Sequence, residues 1–312
     1  MDDPRSELLA DLDNSKARVI NVPGYIVICG GPIDIQAGQE CCSARNLFLT
    51  QLGINHGDLA RRNLLPEQIK EWNHDGVYPD LLAFETDLAH LTGAVLLFVE
   101  SAGSIAELGS FSCIPELAEK LLVIVQEKHY VKNSFIRLGP VKHLEDNYPK
   151  SVFVYNWKLD NTDFVAHIPN LVEALRAFIG KSKSEAFSSE AVKHRLLLIA
   201  DLVDLFVAVQ EGEIKEWLDK YFGILLNVEH LRQYLFLLTK LEFILKAPYG
   251  NNRFYIAAKN ALPYVEYATK TIQFKQERPR LKAKVLAFYE AEDKPRLAAW
   301  KSALAKATGA AK

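Results

Sequence analysis

Apolar residues in the first half of the chain fall in short, unbroken runs that are separated by polar turns. The clearest runs cover residues 25–29, 94–99 and 121–125, and a shorter one covers residues 151–155. Unbroken apolar runs of four to eight residues are typical of strands that are buried on both faces, as in a parallel sheet. We therefore predict four buried strands in this half.

Between these runs, apolar residues recur with helical spacing. The spacing predicts helices over residues 41–52, 81–89 and 168–178, and a polar, irregular stretch over residues 53–80. When strands alternate with helices along a chain, each helix connects two parallel strands by a right-handed crossover, and the strands build a parallel sheet. The first half is therefore predicted to be an α/β domain with a doubly wound, mostly parallel sheet.

The pattern changes in the second half. Helical apolar spacing predicts three helices, over residues 191–210, 213–222 and 228–241. Residues 243–257 then predict two strands joined at Gly250-Asn251-Asn252, whose residue types suit a tight hairpin turn. Three helices and a hairpin predict a winged helix-turn-helix. Its third helix has few base-reading side chains, so contact with nucleic acid and contact with protein both remain open.

These patterns predict an α/β domain over residues 1–180, a winged-helix domain over residues 187–270 and a basic helical tail over residues 271–312. Residues 270–312 contain eleven Lys or Arg side chains and four acidic ones. Such an excess suits a phosphate backbone, although a solvated helix has the same composition. The candidate nucleic-acid or partner contacts are Arg232, Arg253, Arg278, Arg280, Lys282 and Lys284.

The composition is that of a soluble globular protein, and a formal net charge of −2 excludes a general attraction to nucleic acid. The four cysteines are too few and too irregularly spaced for a disulfide framework, so reduced thiols are expected. No Cys/His group has zinc spacing, so no metal is expected. Residues 1–13 lack the apolar core of a signal peptide, and no apolar run approaches ~20 residues. A cytoplasmic protein without membrane contact is expected.

The segment Glu100-Ser101-Ala102-Gly103-Ser104-Ile105-Ala106-Glu107-Leu108-Gly109 directly follows the apolar run at 94–99. In open α/β sheets, ligands bind at the carboxyl ends of the strands, where this segment begins. Its small residues allow a ligand to approach closely, and the helix that follows offers N–H groups. Two glutamates at such a place suit cleavage of a sugar C–N bond, in which a carboxylate attacks or stabilises the cationic anomeric carbon.

Glu107 has a second interpretation. Ser104 and Glu107 have the spacing of a capping box, in which two side chains satisfy backbone N–H groups at a helix start. A carboxylate near a helix N-terminus also stays ionised, as a nucleophile requires, so the two roles are compatible. Glu100 ends an apolar strand, where no capping role explains it, and this favours the catalytic interpretation.

Weaker candidates accompany this motif. Gly30 and Gly31 follow the first predicted strand, where a glycine turn either admits a ligand or only tightens the chain. Glu85 follows apolar residues closely enough to point toward the sheet. A basic segment follows the strand at 121–125 and either contacts phosphates or lies in an exposed loop; it consists of Lys128, Lys132, Ser134 and Arg137.

Together these segments resemble the effector proteins of bacterial retrons, which are nucleoside deoxyribosyltransferase-like proteins encoded beside a reverse transcriptase. The resemblance rests on Ile28-Cys29-Gly30-Gly31, on Glu85, on residues 97–109 and on residues 132–141. It covers most of the chain, because such effectors also carry a C-terminal helix-turn-helix region. Ala102 stands where proline is common, which loosens a turn. Thr86 stands where asparagine often follows the glutamate, so an amide contact from that helix is not carried over.

The resemblance implies an N-glycosidase site on a nucleoside deoxyribosyltransferase-like fold. Glu107 and Glu100 would be the catalytic residues: Glu107 would attack or stabilise the anomeric carbon, and Glu100 would hold ribose hydroxyls or the base beside it. The implied substrate contacts are Gly30, Gly31, Glu85, Ser101, Gly103 and Ser104. The implied substrate is NAD or a related nucleotide, with no separate cofactor.

Two classes of function follow. In the first, the chain is a toxic anti-phage effector that its implied partners hold inactive, in a higher-order assembly with the retron reverse transcriptase and the multicopy single-stranded DNA with its RNA. In the second, it is a DNA-binding regulator whose α/β half senses a nucleotide without catalysis. The paired acids Glu100 and Glu107 favour the first class, since a sensor needs no nucleophile.

Overall fold

The computed structural model of the protein describes residues 3–33, 43–69, 71, 76–131, 133–156, 163–180, 184–259, 261–271 and 274–307, without the side chains of 274–277 and 307. Cys41 and Cys42, two of the expected thiols, and Lys132, an expected phosphate contact, lie outside the described residues. Within the described ranges, no helix has both the length and the apolar character needed to cross a membrane.

The strands are β1 (Arg18–Val19), β2 (Tyr25–Cys29), β3 (Asn63–Leu64), β4 (Thr92–Val99), β5 (Leu121–Gln126), β6 (Val152–Tyr155), β7 (Glu185–Ala186), β8 (Ala208–Val209), β9 (Ile244–Tyr249), β10 (Asn252–Ala257) and β11 (Val265–Glu266). The helices are α1 (Pro4–Asp11), α2 (Ala44–Asn55), α3 (Gly57–Ala60), α4 (Leu81–His90), α5 (Ala102–Ser112), α6 (Pro115–Ala118), α7 (Glu127–Tyr130), α8 (Lys142–Asn147), α9 (Ile168–Ile179), α10 (Val192–Leu205), α11 (Glu211–Phe222), α12 (Val228–Lys240), α13 (Phe274–Glu292) and α14 (Lys294–Ala307). The chain forms two compact units: residues 23–182 are one, and residues 1–22 with 183–312 are the other.

The unit of residues 23–182 is built on a parallel sheet of five strands in the order β3-β2-β4-β5-β6. Residues 94–98 of β4 and 121–124 of β5 are fully buried, as their unbroken apolar sequences require. On one face, Phe48 of α2 and Leu175 of α9 pack with Ile28 and Leu96. Helices α4 and α5 contact β4 from the other face. The predicted α/β class with a parallel sheet is confirmed.

The strand order reverses between β2 and β4, because the chain crosses from β2 to β3 on one side and returns to β4 on the other. At such a switch point, the loops that leave two adjacent strands diverge and form a crevice at the carboxyl edge. The turn Gly30-Gly31 leaves β2 at this point, and Glu100 leaves β4. Gly30 has a φ of +150°, and a Cβ there would lie 2.7 Å from the Cβ of Phe98, so the turn requires glycine.

The second unit contains two three-stranded antiparallel sheets, in the orders β8-β10-β9 and β11-β1-β7. The predicted hairpin is present, with β9 and β10 joined by a turn in which Gly250 has a φ of +56°. Helices α10, α12 and α14 contact this hairpin. The three predicted helices and the predicted hairpin therefore belong to one packed unit.

Two segments differ from the sequence-based prediction. Residues 1–22 were assigned to the α/β domain, but β1 pairs with β7 and β11, and Nη1 of Arg5 lies 2.8 Å from Oε1 of Glu213. The helix predicted over residues 191–210 ends at Leu205, because Val207 has a φ of +69° and the next two residues pair with β10. Both differences arise from pairing between segments that are distant in sequence, which hydrophobic periodicity does not report.

The predicted basic tail is also packed into the second unit. Tyr289 of α13 is fully buried, and its hydroxyl donates to the carbonyl of Phe206 at 2.7 Å. Arg296 of α14 is buried and lies 2.6 Å from a carboxylate oxygen of Glu213. Residues 274–307 are therefore part of the folded unit and not a separate extension of it.

Some cations of the predicted basic tail form ion pairs with carboxylates of the same unit. The guanidinium of Arg278 lies 3.0 Å from Oδ1 of the fully buried Asp201 and 2.8 Å from Oδ2 of Asp204. Lys282 pairs with the other oxygen of Asp204 at 2.6 Å. These two cations, predicted as nucleic-acid or partner contacts, pair with carboxylates of the same unit. Arg280 and Lys284 are exposed.

Candidate active site

The start of helix α5 brings two predicted site residues together. The Ser101 Oγ accepts from the N–H of Ser104 at 3.1 Å, and the Ser104 Oγ accepts from the N–H of Ser101 at 2.9 Å. This reciprocal pair is a capping box one turn earlier than the predicted Ser104–Glu107 box. The hydroxyls of Ser101 and Ser104 therefore stabilise the helix, and Glu107 has no capping role. Gly103 is exposed in the first turn.

Glu100 makes contacts that differ from the predicted substrate contacts. Its carboxylate accepts hydrogen bonds from three backbone N–H groups: Gly31 at 3.0 Å, Ala44 at 2.8 Å and Arg45 at 3.1 Å. Two of these groups belong to the first turn of α2, so Glu100 caps that helix from across the sheet. Glu100 therefore stabilises the start of α2 and the turn after β2, and its catalytic role stays a prediction.

The same contact brings the Glu100 carboxylate against the glycine turn. A Cβ on Gly31 would lie 2.7 Å from the Cβ of Ser43 and 2.8 Å from Oε1 of Glu100. The helix N-terminus after the first strand is where nucleotide-binding α/β proteins hold a phosphate. Here a carboxylate of the protein occupies it. Gly30 and Gly31 therefore lie at the wall of the crevice, with the N–H of Gly31 bound to Glu100, and their role as substrate contacts stays a prediction.

Glu107 and Glu85 are both largely buried, and the charge of Glu107 acts on the carboxyl group of Glu85. Glu107 lies on α5, and its Oε2 is enclosed without a hydrogen-bond partner among the described residues. Burial raises the pKa of Glu107, and the nearby charge of Arg45 counteracts this rise. Glu85 on α4 is 8% exposed, and burial together with the charge of Glu107 raises its pKa to about 8. At neutral pH, Glu85 is therefore protonated.

Three further residues belong to this cluster and were missed by the sequence analysis. Arg45 on α2 is 5% exposed, and its Nη2 lies 2.7 Å from Oε1 of the half-exposed Glu67. Cys29 at the end of β2 is buried, and burial with the charges of Glu107 and Glu85 holds its pKa well above the usual value. The sequence does carry a signal that Arg45 is buried: it stands three residues before Phe48 and seven before Leu52, on the same face of α2 as these two buried residues. Glu67 has none, since it lies in an irregular polar stretch.

The cluster contains two largely buried carboxyl groups whose pKa values are both raised, that of Glu85 to about 8. Pairs of carboxyl groups with perturbed pKa values are the usual arrangement of enzymes that cleave bonds at an anomeric carbon. Within the described residues, no group of three or more His, Cys, Asp or Glu side chains has metal-binding geometry. The side chains of the cluster are the carboxyl groups of Glu67, Glu85 and Glu107, the guanidinium of Arg45 and the thiol of Cys29.

Three other predicted contacts, Arg137, Arg232 and Arg253, lie on elements outside the cluster. Arg137, in the segment after β5, pairs with Glu145 at 2.9 Å and lies over the ring of Tyr130. Its guanidinium therefore contacts groups of the same segment and of α8. Arg232 is exposed and pairs with Glu211 at 2.9 Å. Arg253 is exposed beside the hairpin turn.

We expect Glu100→Ala to destabilise the protein by about 2–4 kcal/mol, because it leaves backbone N–H groups of Gly31 and α2 without their charged acceptor. Chemical denaturation measures the change. The matched control is Glu173→Ala, which removes an exposed glutamate from α9 and should cost less than ~0.5 kcal/mol. Equal effects of the two substitutions would contradict the capping role.

We expect the free energy of unfolding to fall as pH rises from about 4.5 to about 8, because folded Glu85 keeps a proton that the unfolded chain releases. Glu85→Gln should flatten this fall and leave the protein more stable than the wild type at the alkaline end, by a few kcal/mol at most, since one pKa unit corresponds to ~1.4 kcal/mol. Denaturation curves at several pH values test this. Glu173→Gln is the control, and an unchanged slope in Glu85→Gln would refute the assignment.

Comparison with known proteins agrees with the resemblance seen in the motifs. The protein named "Retron Ec73 putative ribosyltransferase/DNA-binding protein" of Escherichia coli is 26% identical over 219 residues, which are 65% of this chain and 68% of that protein. The "Retron Ec86 putative ribosyltransferase/DNA-binding protein" of Escherichia coli is 44% identical over 72 residues, which are 23% of this chain and 24% of that protein. The family model described as STM3845 retron effector protein matches residues 41–246, more than half of the chain. The resemblance to retron effectors is confirmed, and the chain belongs to the STM3845 retron effector family.

Proposed function

We propose that the protein is the toxic effector of a retron defence system and that it cleaves the N-glycosidic bond of NAD or a related nucleotide. The observation that carries this proposal is that two largely buried glutamates, Glu107 and Glu85, lie near enough to each other and to Cys29 at the end of β2 for the charge of Glu107 to raise the pKa of both neighbours. The relatives are named ribosyltransferases, and a ribosyl transfer also proceeds at the anomeric carbon. Hydrolysis differs from such a transfer only in that water accepts the ribosyl group.

In the proposed reaction, the Glu107 carboxylate attacks or stabilises the anomeric carbon while the C–N bond breaks and its electron pair passes to the base nitrogen. A pyridinium base such as the nicotinamide of NAD then leaves as a neutral molecule. A base that is neutral before cleavage needs a proton, which the carboxyl group of Glu85 can donate. Water next attacks the anomeric carbon and gives its proton to a carboxylate.

We expect Glu107→Gln to lower base release from NAD by at least ~100-fold, because the amide retains the shape of the side chain but cannot act as an anionic nucleophile. Chromatography of free nicotinamide measures the rate, and thermal unfolding checks that the variant is folded. Glu173→Gln on α9 is the matched control and should keep wild-type activity. If Glu107→Gln is folded and nearly fully active, Glu107 is not the nucleophile.

The second unit is proposed to hold the effector in its retron complex through a winged helix-turn-helix. Its three helices and hairpin have that order, and the relatives are named DNA-binding proteins. A reading helix must expose one face over about two turns to enter a major groove. In α12, residues 233–238 are all buried and residues 239–240 are half-buried, so its exposed residues are 228–230 and 232. The tip of the hairpin is the better surface for a nucleic acid.

The exposed side chains of this hairpin suit a single strand. Lys246 and Arg253 supply two cations, and Tyr249 is 44% exposed and offers a ring on which a base can stack. Between Glu211 and the turn lies a cavity of about 300 Å³ whose lining includes Asn251 and Arg253. We therefore assign the contact with the retron's single-stranded DNA or its RNA to the hairpin, with the reverse transcriptase as the protein partner.

We expect the double substitution Lys246→Ala and Arg253→Ala to weaken binding of the purified protein to the retron nucleic acid. The slope of log Kd against log salt should flatten by about two, one for each cation that contacts a phosphate. The control, Lys284→Ala with Lys301→Ala, removes two exposed cations from α13 and α14.

Equal effects of the two double variants would place the contact on the tail helices. Loss of binding to duplex DNA in the hairpin variant, in a protein that releases no base from NAD, would instead favour a DNA-binding regulator. Deletion of residues 276–312 is unsuitable for this test, because it removes the buried Tyr289 and Arg296.

A further inference from the structure

A cavity of about 550 Å³ lies beside α5, on the side of the helix that faces away from Glu107. Its lining includes Gly109, Ser112 and Cys113, from the second half of α5 and its C-cap. Because an α-helix turns by about 100° per residue, these three residues lie roughly 140–240° around the helix from Glu107. The rest of the described lining comes from residues 115–148 and includes no glutamate of the candidate site. The cavity is therefore separate from that site.

Two of the segments that carry the resemblance to retron effectors meet at this cavity. The segment 97–109 ends there with Gly109, and the segment 132–141 contributes Phe135, Gly139 and Pro140 to the lining. The proposed reaction uses the first segment, through Glu107, and takes nothing from the second. The cavity is where residues of the second segment are placed to contact a ligand.

Aromatic rings form much of the cavity wall. The ring of Phe135 packs over Gly139, where a Cβ would lie 3.6 Å from two of the ring carbons. Phe135 is nevertheless 85% exposed, so most of its ring surface is in contact with water. The rings of His143 and Tyr148 meet edge to face with their centroids 6.2 Å apart. Such walls favour a flat ligand, because stacking on the rings removes apolar surface from water.

The cavity also offers one hydrogen-bond donor and one acceptor. Nδ1 of His143 lies 3.2 Å from the amide nitrogen of Asn147, and in the tautomer that accepts this hydrogen bond, Nε2 carries the ring proton. The Ser112 hydroxyl donates to the carbonyl of Gly109 at 3.2 Å, so its oxygen is left to accept. Mostly apolar cavities of roughly 300–1,000 Å³ with a few polar groups are typical of sites for small ligands.

We propose that this cavity binds a small planar aromatic heterocycle of the nucleobase or nicotinamide type, at a site distinct from the one that contains Glu107. Such a ring can stack on the exposed face of Phe135, and its edge carries both an acceptor for the His143 donor and a donor for the Ser112 oxygen. A free base and the base of a nucleotide present the same ring. The proposal concerns binding without bond cleavage, so it is independent of the proposed N-glycosidase activity.

The thiol of Cys113 reports whether the cavity is occupied, because Cys113 is an exposed free cysteine in the lining. We expect nicotinamide and adenine to slow the alkylation of Cys113 by iodoacetamide, as measured by mass spectrometry of its peptide. Cyclohexanecarboxamide is the matched ligand control: it has the size and the amide of nicotinamide but a puckered ring, and it should protect several-fold less. Parallel samples with AMP and NAD distinguish a site for a free base from one that also accepts a nucleotide.

Gly109→Leu tests the position of the site. A Cβ on Gly109 meets open space, and leucine favours a helix more than glycine does, so the variant should fold while its side chain fills the cavity. We expect its Kd for nicotinamide, from ligand-observed NMR titration, to rise at least tenfold. Gly53→Leu on α2 is the matched control, since a Cβ there also meets open space, and it should bind as the wild type does. His143→Phe keeps a ring but removes the donor, and it should bind several-fold more weakly.

Protection of Cys113 should persist in Glu107→Gln, because Glu107 lies on the other side of α5. If the wild type releases no base from NAD but Cys113 is protected, the proposed reaction fails and the binding site stands. The site is refuted if no heterocycle protects Cys113 at millimolar concentration, if cyclohexanecarboxamide protects equally, or if Gly109→Leu and Gly53→Leu bind alike. Protection by the retron reverse transcriptase alone would also refute it and would make the cavity a docking site for protein.

Discussion

The hydrogen bonds between the Glu100 carboxylate and three backbone N–H groups are the interaction on which the candidate site depends. They join the end of β4 to the start of α2 and to the turn after β2, which are the two sides of the switch-point crevice. Charge-assisted bonds to N–H groups at a helix start are among the stronger ones available to a carboxylate. Through them Glu100 sets the course of the glycine turn and the place of Arg45, and hence the field at Glu107. Glu100, which the sequence predicts as a second catalytic acid, therefore stabilises the backbone around the site.

The site lowers the free energy of unfolding, because it places groups of like charge close together in a poorly solvated space. Glu85, Glu107 and Cys29 all have raised pKa values for this reason, and the Arg45 guanidinium offsets part of the cost for Glu107. Groups with pKa values far from their usual ones concentrate at functional sites, since a structural role seldom justifies such a cost. The buried parallel sheet supplies the stability that this arrangement needs. Enclosure of one oxygen of Glu107 also keeps water away from part of the carboxylate, which strengthens its electrostatic effect.

In the second unit, much of the positive charge is structural. Arg5, Arg278 and Arg296 are largely buried and pair with carboxylates from segments far away in the sequence. Arg5 and Arg296 also lie over the ring of Tyr289. These contacts tie the N-terminal helix and the C-terminal helices to one core. An excess of cations in the sequence of a segment is thus a poor guide to the positive charge on its surface. The exposed cations of the hairpin say more about where a nucleic acid could bind than the larger number of cations in the tail.

The sequence by itself determined the strands β2, β4, β5 and β6, the helices between them and the class of the sheet, because unbroken apolar runs and helical spacing are local properties. It also predicted Glu107 and Glu85 as site residues, since Glu107 belongs to a motif that directly follows a buried strand and Glu85 lies in the helix before that strand. Only the tertiary structure decided the role of Glu100, since its partners Gly31 and Ala44 are more than fifty residues away. The same holds for Arg45 and Glu67, which reach the site from a helix and a polar stretch without a motif. Hydrophobic periodicity records which face of an element is buried, whereas hydrogen bonds and ion pairs between distant segments depend on how the elements pack.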